Sequence, residues 1–142
     1  MSISTPQIEE LQTAVRHGLV PLMRPVPQTP VEWADENFYL SSESSYQEGR
    51  WETLPFQVAM LNAMGNDEIR TVNVIKSARV GYSKMLIAAS AYQIEHKRRN
   101  ILILLPTDGV AQGFMKSHVE TMIRYVPSVY DLAPWYGKKH RD

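Results

Sequence analysis

The strongest constraint on the fold of this chain is one predicted helix that is apolar on almost every side. Residues 83–96 form this helix, and such a helix must be buried on several sides. It follows a short β-branched run at 71–75 and precedes an unbroken apolar run at 101–105. The second run lacks alternation, as is typical of a parallel strand covered on both faces.

A further helix is predicted after the second strand. Thr107 and Asp108 stand where a helix N-cap is expected. The predicted apolar face of this helix consists of residues at helical spacing, namely Ala111, Met115, Val119, Met122 and Ile123. The order strand, helix, strand, helix predicts an α/β fold built on a parallel βαβ unit and preceded by short helices.

The composition fits one ordinary domain and excludes several classes of protein. The chain has 142 residues, a net charge of zero and no cysteine, which excludes disulfides, Fe–S clusters and thiolate zinc sites. Its longest clean apolar run is far shorter than the roughly 20 residues of a membrane span. The N-terminus lacks the basic and apolar regions of a secretory signal. We therefore expect a cytoplasmic protein with no membrane partner.

The first 28 residues are predicted to form a separate element, which is a helix followed by a Pro-rich connector. Ile8, Leu11 and Val15 lie on one face of this helix at helical spacing. Two interpretations remain open at this point. The helix is either a surface helix packed on its own domain or a docking helix for a partner.

Residues 29–142 are predicted to form the main domain, which begins with two short helices on either side of a polar surface loop. Thr29 and Glu32 form a capping box with Pro30 at the first helical position. A second helix is predicted from about Pro55 to Met64, with Gly65 as its C-cap.

The residues that point to chemistry lie in the loop before the buried helix. Compared with the phosphate-loop pattern G-x-x-x-x-G-K-S/T, the loop keeps the second glycine as Gly81 and the hydroxyl as Ser83. Lys76 replaces the first glycine, Tyr82 stands at the usual lysine position, and Lys84 follows. Backbone N–H groups at a helix start still favour an anion. By pattern alone, an ordinary strand-to-helix turn with surface cations is the preferred interpretation. The position of the loop, after a β-branched run and before a buried helix, makes nucleotide binding equally compatible.

Several long and unusual segments resemble the N-terminal ATPase region of the large terminase subunit of lambda-type tailed bacteriophages. They are VEWAD at 31–35, YQEGRWETLPFQ at 46–57, KSARVGYSK at 76–84, LPTDG at 105–109 and APWYGKKHRD at 133–142. The resemblance implies a partial P-loop NTPase domain with a deviant Walker A loop. It also implies a motor that uses ATP and Mg²⁺ to package double-stranded DNA into a procapsid through its portal, and an endonuclease that matures the genome ends.

The resemblance also assigns roles to residues of the loop. The Walker A equivalent carries over to Lys76, Arg79, Gly81, Ser83 and Lys84. Lys76 and Lys84 are then the phosphate cations, and Ser83 is the hydroxyl on the metal side. Arg79 resembles the in-cis arginine that stabilises transition-state charge and is the predicted catalytic residue. The N-terminal helix becomes a docking element for a small terminase subunit.

Three further segments gain an interpretation from the same resemblance. Gln57 resembles the glutamine whose amide reads the adenine edge, and Tyr46 is positioned to stack on the base. Without the resemblance, a solvated helix residue and a surface aromatic are the preferred interpretations.

Thr107 lies in a segment that resembles a helicase-like motif, which often faces nucleic acid. The basic residues 138–141 are either a phosphate contact or a solvated chain end. The histidines are scattered, so we expect no metal site built on them.

Two parts of a complete terminase are absent from the sequence. Hydrolysis requires an acidic pair at the end of a later strand, and no acidic residue after Ser83 follows four apolar residues and is paired with a second acid. The clustered carboxylates of a nuclease are also absent. We therefore expect a truncated terminase that binds ATP weakly and is inactive alone. A non-catalytic interaction module and a helicase-like ATPase fragment outside packaging are the alternatives.

Overall fold

The computed structural model describes residues 5–19, 26–42 and 48–133, which fold mainly as helices. The elements, in chain order, are α1 (Thr5–Leu19), α2 (Pro30–Asn37), β1 (Tyr39–Leu40), β2 (Gly49–Arg50), α3 (Pro55–Gly65), α4 (Tyr82–Glu95), α5 (Asp108–Phe114), a π-helical turn (Met115–Val119), α6 (Glu120–Tyr125) and α7 (Pro127–Tyr130).

Helix α2 begins with the capping box that the sequence predicts. The Thr29 side chain accepts a hydrogen bond from the backbone N–H of Glu32 at 3.2 Å, and the Glu32 carboxylate accepts one from the Thr29 N–H at 2.8 Å. These bonds lower the pKa of the Glu32 carboxyl below its usual value. Pro30 occupies the first turn, where its missing N–H has no consequence.

Helix α4 forms the centre of the core, as its apolar sequence predicts. It packs against α2, α3, α7 and the π-helical turn. Trp33 of α2 donates a hydrogen bond from Nε1 to Glu95 at 2.6 Å, and its ring meets Tyr92 edge to face at 6.1 Å. The buried apolar side chains are Trp33, Ala34, Phe38, Trp51, Leu61, Met85, Ile87, Ala88, Ala89, Ala91, Tyr92, Met122, Val126 and Val129.

The end of α3 approaches α2 so closely that no side chain fits between them. A Cβ atom added to Gly65 would overlap the ring of Pro30 and lie 3.1 Å from Cε1 of Tyr92. Helix α3 ends at Gly65, and Asn66 is its C-cap. The glycine predicted to cap the helix is therefore its last residue, and its small size lets α2, α3 and α4 meet.

The predicted parallel pairing of strands is not found in the described part of the chain. The two strands present there, β1 and β2, form an antiparallel pair that places Tyr39 opposite Arg50. Residues 71–75 and 101–105 run without regular secondary structure on either side of α4. Neither has a ladder partner within the described residues, and a run of extended backbone becomes a strand only through such a partner. In 71–75 every second side chain is exposed, and at 101–105 Leu102 and Leu104 are 81% and 82% exposed.

The helix after Thr107 forms as predicted but contains an irregularity that the sequence does not signal. The Thr107 hydroxyl caps α5 by accepting from the Val110 N–H at 3.4 Å. The π-helical turn then adds one residue to the turn between α5 and α6. Met115, predicted on the apolar face, is 43% exposed, whereas Phe114 and His118 are half-buried.

Helix α1 confirms the predicted N-terminal helix, and its apolar stripe faces outward. Exposed along it are Ile8, Leu11, Val15 and Leu19. The sequence-based alternative in which this stripe packs on its own domain is not supported by these exposures. No helix in the described residues is long and apolar enough to cross a membrane.

The close approach at Gly65 predicts opposite effects for two helical glycines. Gly113 of α5 has open space around its Cα, so Gly113→Ala should stabilise the fold by about 0.8–1 kcal/mol through helix propensity. Gly65→Ala gains the same propensity but overpacks Pro30, which typically costs about 1–3 kcal/mol. Urea unfolding of both variants is the measurement. A Gly65→Ala variant as stable as Gly113→Ala would contradict the packing described.

The exposed leucines of residues 101–105 predict self-association of the 142-residue chain. Apolar extended backbone without a ladder partner is a template for pairing with another chain. Light scattering should show oligomers that grow with concentration, and the double variant Leu102→Lys, Leu104→Lys should suppress them, because lysine blocks edge pairing. A wild-type chain that is monodisperse and monomeric, and melts cooperatively at about 45–65 °C, would contradict this.

Candidate functional site

The loop before α4 turns through two residues in the left-handed region. Arg79 has φ 61° and Gly81 has φ 73°. Gly81 is the N-cap of α4, so the first N–H groups of the helix have no acceptor within it. Backbone N–H groups in such a turn, combined with the helix dipole, form a concavity that attracts anions.

Gly81 is required here for space as well as for conformation. A Cβ atom at this position would lie 3.2 Å from Nε2 of Gln57, and the left-handed φ disfavours any side chain. The second glycine of the phosphate-loop pattern therefore corresponds to a real backbone constraint.

Gln57 joins the start of α3 to this loop. Its side chain is only 2% exposed. Nε2 donates to the carbonyl oxygen of Val80 at 3.3 Å, and Oε1 accepts from the backbone N–H of Leu54 at 3.1 Å. The preferred interpretation from residues alone, a solvated helix residue, is therefore wrong for Gln57. Its proposed contact with adenine stays a prediction.

A cavity of about 220 Å³ lies beside the loop. Gln57, Lys76 and Ser77 contribute polar groups to it, and the remaining wall is largely apolar. The Lys76 ammonium donates to the Ser77 carbonyl oxygen at 3.4 Å and lies 5.6 Å from the centre of the Tyr82 ring. This second contact is a cation–π interaction. Lys76 is itself exposed, so its charge is accessible to a ligand at the cavity.

Lys84 does not point into the cavity beside Lys76. It lines a separate crevice between β1 and the π-helical turn, and its Nζ lies 3.1 Å from Nδ1 of His118. Burial lowers the pKa of the Lys84 ammonium to about 8. The structure therefore separates the two lysines that the sequence assigns jointly to phosphate.

The remaining predicted site residues differ in how the structure places them. Arg79 and Ser83 are exposed on the loop and at the first turn of α4, where their side chains are accessible from solvent. Tyr46 lies outside the described residues. The structure thus brings Gln57, Lys76 and Gly81 into one site and leaves Arg79 and Ser83 at its border.

Comparison with known proteins assigns the chain to a family. The profile "Phage terminase large subunit gpA, ATPase domain" matches residues 45–138, which include the whole loop. The chain belongs to this family of terminase large subunits. A P-loop-like ATPase domain is therefore the fold class to which it is assigned, although no parallel sheet is found in the described residues.

Individual relatives agree with this assignment. The chain is 68% identical over 142 residues to the terminase large subunit of Escherichia phage lambda, covering 100% of the chain and 22% of the relative. It is 63% identical over 129 residues to the terminase large subunit of Enterobacteria phage P21, covering 91% and 20%. The chain thus spans about a fifth of the length of these relatives. No solved structure matches it.

Two residues near the site were not among the site residues predicted from the sequence. Tyr82 stands where the pattern normally has lysine, and its ring contacts Lys76. His118 was one of several scattered histidines, and it lies in the π-helical turn beside Lys84. The departure of Tyr82 from the pattern was a usable signal, whereas nothing in the sequence marks the π-helical turn.

The two hydrogen bonds of Gln57 predict that its amide stabilises the loop. Gln57→Glu keeps an acceptor for Leu54 but loses the donor to Val80, so a buried carboxylate would face a carbonyl oxygen. We expect a loss of about 1–3 kcal/mol in the free energy of unfolding and faster amide exchange at Gly81. Gln112→Glu, at an exposed position of α5, is the matched control. Equal stability of the two variants would show that the amide bonds contribute nothing.

Proposed function

We propose that the loop before α4 binds the phosphates of ATP and that the chain is the nucleotide-binding part of a DNA-packaging motor. One observation carries this proposal. The carbonyl oxygen of Val80, next to the left-handed Gly81 at the start of the buried helix α4, accepts a hydrogen bond from the buried amide of Gln57, beside a cavity lined in part by Lys76. The family assignment supports the same function.

Each loop residue receives a role from its position. The N–H groups at Gly81 and the first turn of α4 would hold phosphate oxygens, and Lys76 would add a positive charge at the cavity. Arg79 is exposed on the same loop, and we assign to it the stabilisation of charge on the transferred phosphoryl group. Lys84 is assigned to phosphate as well, which requires its side chain to leave His118.

The base is assigned to the side of the site formed by α3. Gln57 uses one of its N–H groups on Val80, and its amide has a second N–H that we assign to the adenine edge. Tyr46 is assigned to stack on the base. The largely apolar wall of the cavity suits a planar ring.

A magnesium ion is assigned to Ser83. Its hydroxyl is exposed at the first turn of α4, and Mg²⁺ typically keeps several waters and takes few protein ligands beside substrate phosphates. The ion would neutralise phosphate charge. We assign the Ser83 hydroxyl and the phosphates as its donors. Among the described residues no group of three or more His, Cys, Asp or Glu that could hold a metal is found.

The partners of the whole motor are proposals drawn from the family. They are double-stranded DNA, the procapsid portal and a small terminase subunit, in a bacterial host's cytoplasm. A specific observation favours the last partner, because α1 exposes an apolar stripe formed by Ile8, Leu11, Val15 and Leu19. We propose that residues 1–28 dock this subunit and that residues 29–142 belong to the ATPase domain.

The proposed ATP site predicts binding that depends on Lys76. Calorimetry with ATP and Mg²⁺ should show weak binding that falls at least about tenfold, or about 1.4 kcal/mol, in Lys76→Ala. Lys116→Ala, which removes an exposed lysine of the π-helical turn, should bind as the wild type does. Equal affinities of wild type and Lys76→Ala would contradict the site. Turnover by this chain should stay below about 1 s⁻¹, because the acidic pair required for hydrolysis is missing from its sequence.

A further inference from the structure

The contact between Lys84 and His118 joins two titratable nitrogens, so which of them donates depends on their protonation states. The pKa of Lys84 is about 8, and its ammonium form therefore predominates at pH 7. An ammonium group has no lone pair and can only donate, so in this form Nδ1 of His118 accepts the hydrogen bond and the neutral imidazole carries its proton on Nε2. Burial, followed by the nearby charge of Lys84, lowers the pKa of the His118 imidazole below its usual value, which favours this neutral form at pH 7.

His118 lies in the π-helical turn, which spans Met115–Val119, and its side chain is half-buried. The ring of Phe114 meets the imidazole edge to face at 4.8 Å and limits its rotation. Irregular turns of this kind occur frequently at functional sites.

Lys84 has no carboxylate partner within the described residues. The titratable groups lining its crevice are Tyr39 from β1, His118 from the π-helical turn and Lys84 itself. The Tyr39 hydroxyl donates to Glu48 at 3.3 Å. A half-buried ammonium held only by a neutral acceptor remains able to gain stability from an anion.

We propose that His118 is a positioning residue that holds Lys84 away from the phosphate loop until an anionic ligand draws the lysine out of the crevice. Lys84 is the third residue of α4 and lies one turn from the loop, so rotation of its side chain is enough to change partners. This role of Lys84 rests on the proposed ATP site, whereas its contact with His118 does not.

The contact is tested first without nucleotide, by NMR titration of the His118 ring and the Lys84 amine in the full chain. Lys84→Met should raise the pKa of His118, because it removes a like charge, and Lys116→Met should leave this pKa unchanged. His118→Phe, which keeps a ring but no acceptor, should lower the pKa of Lys84 below about 8. His118→Asn, which keeps an acceptor and cannot titrate, should leave it near that value. If the pKa values of His118 and Lys84 do not change in Lys84→Met and His118→Phe respectively, the proposal is overturned.

The same titration with ATP then separates this proposal from the proposed function. If ATP binds in a Lys76-dependent manner, the pKa of Lys84 should rise and that of His118 should return toward its usual value, as in Lys84→Met. Binding with an unchanged His118 titration would overturn the release of Lys84 and leave the ATP site standing. A chain that couples the two residues but binds no ATP would support the positioning contact and contradict the proposed function.

Discussion

The burial of α4 is the constraint on which the rest of the structure depends. Its apolar surface requires cover from α2, α3, α7 and the π-helical turn, and these contacts fix the direction of the helix. Its first turn is consequently held in one place. The loop joins this first turn directly, so Gly81 and the first N–H groups of α4 are positioned by the packing of the helix.

A single buried amide links this packing to the candidate chemistry. Gln57 sits at the start of α3 and donates to the carbonyl of Val80 in the loop. The helix that covers α4 thus also holds the loop that precedes it. Loss of this bond would disturb the loop itself, so Gln57 has a structural role in addition to any contact with a base.

Much of this arrangement could be predicted from local sequence rules, and the rest depends on packing over longer distances. The capping box of Thr29 and Glu32, the N-cap at Thr107 and the burial of residues 83–96 follow from residue type and spacing. Pairing of 71–75 with 101–105 did not appear, because strand formation requires a partner that local sequence cannot supply. The contact of Lys84 with His118 joins α4 to a π-helical turn, and no propensity rule encodes the position of that turn.

We propose that the loop before α4 is the place where this chain binds nucleotide. Backbone and side-chain amide NMR during titration with ATP and Mg²⁺ is the measurement that tests this binding. We expect the largest shifts at the amides of residues 77–83 and at the side chain of Gln57, and we expect these shifts to disappear in Lys76→Ala. Shifts confined to other surfaces, or none at saturating ATP, would contradict it.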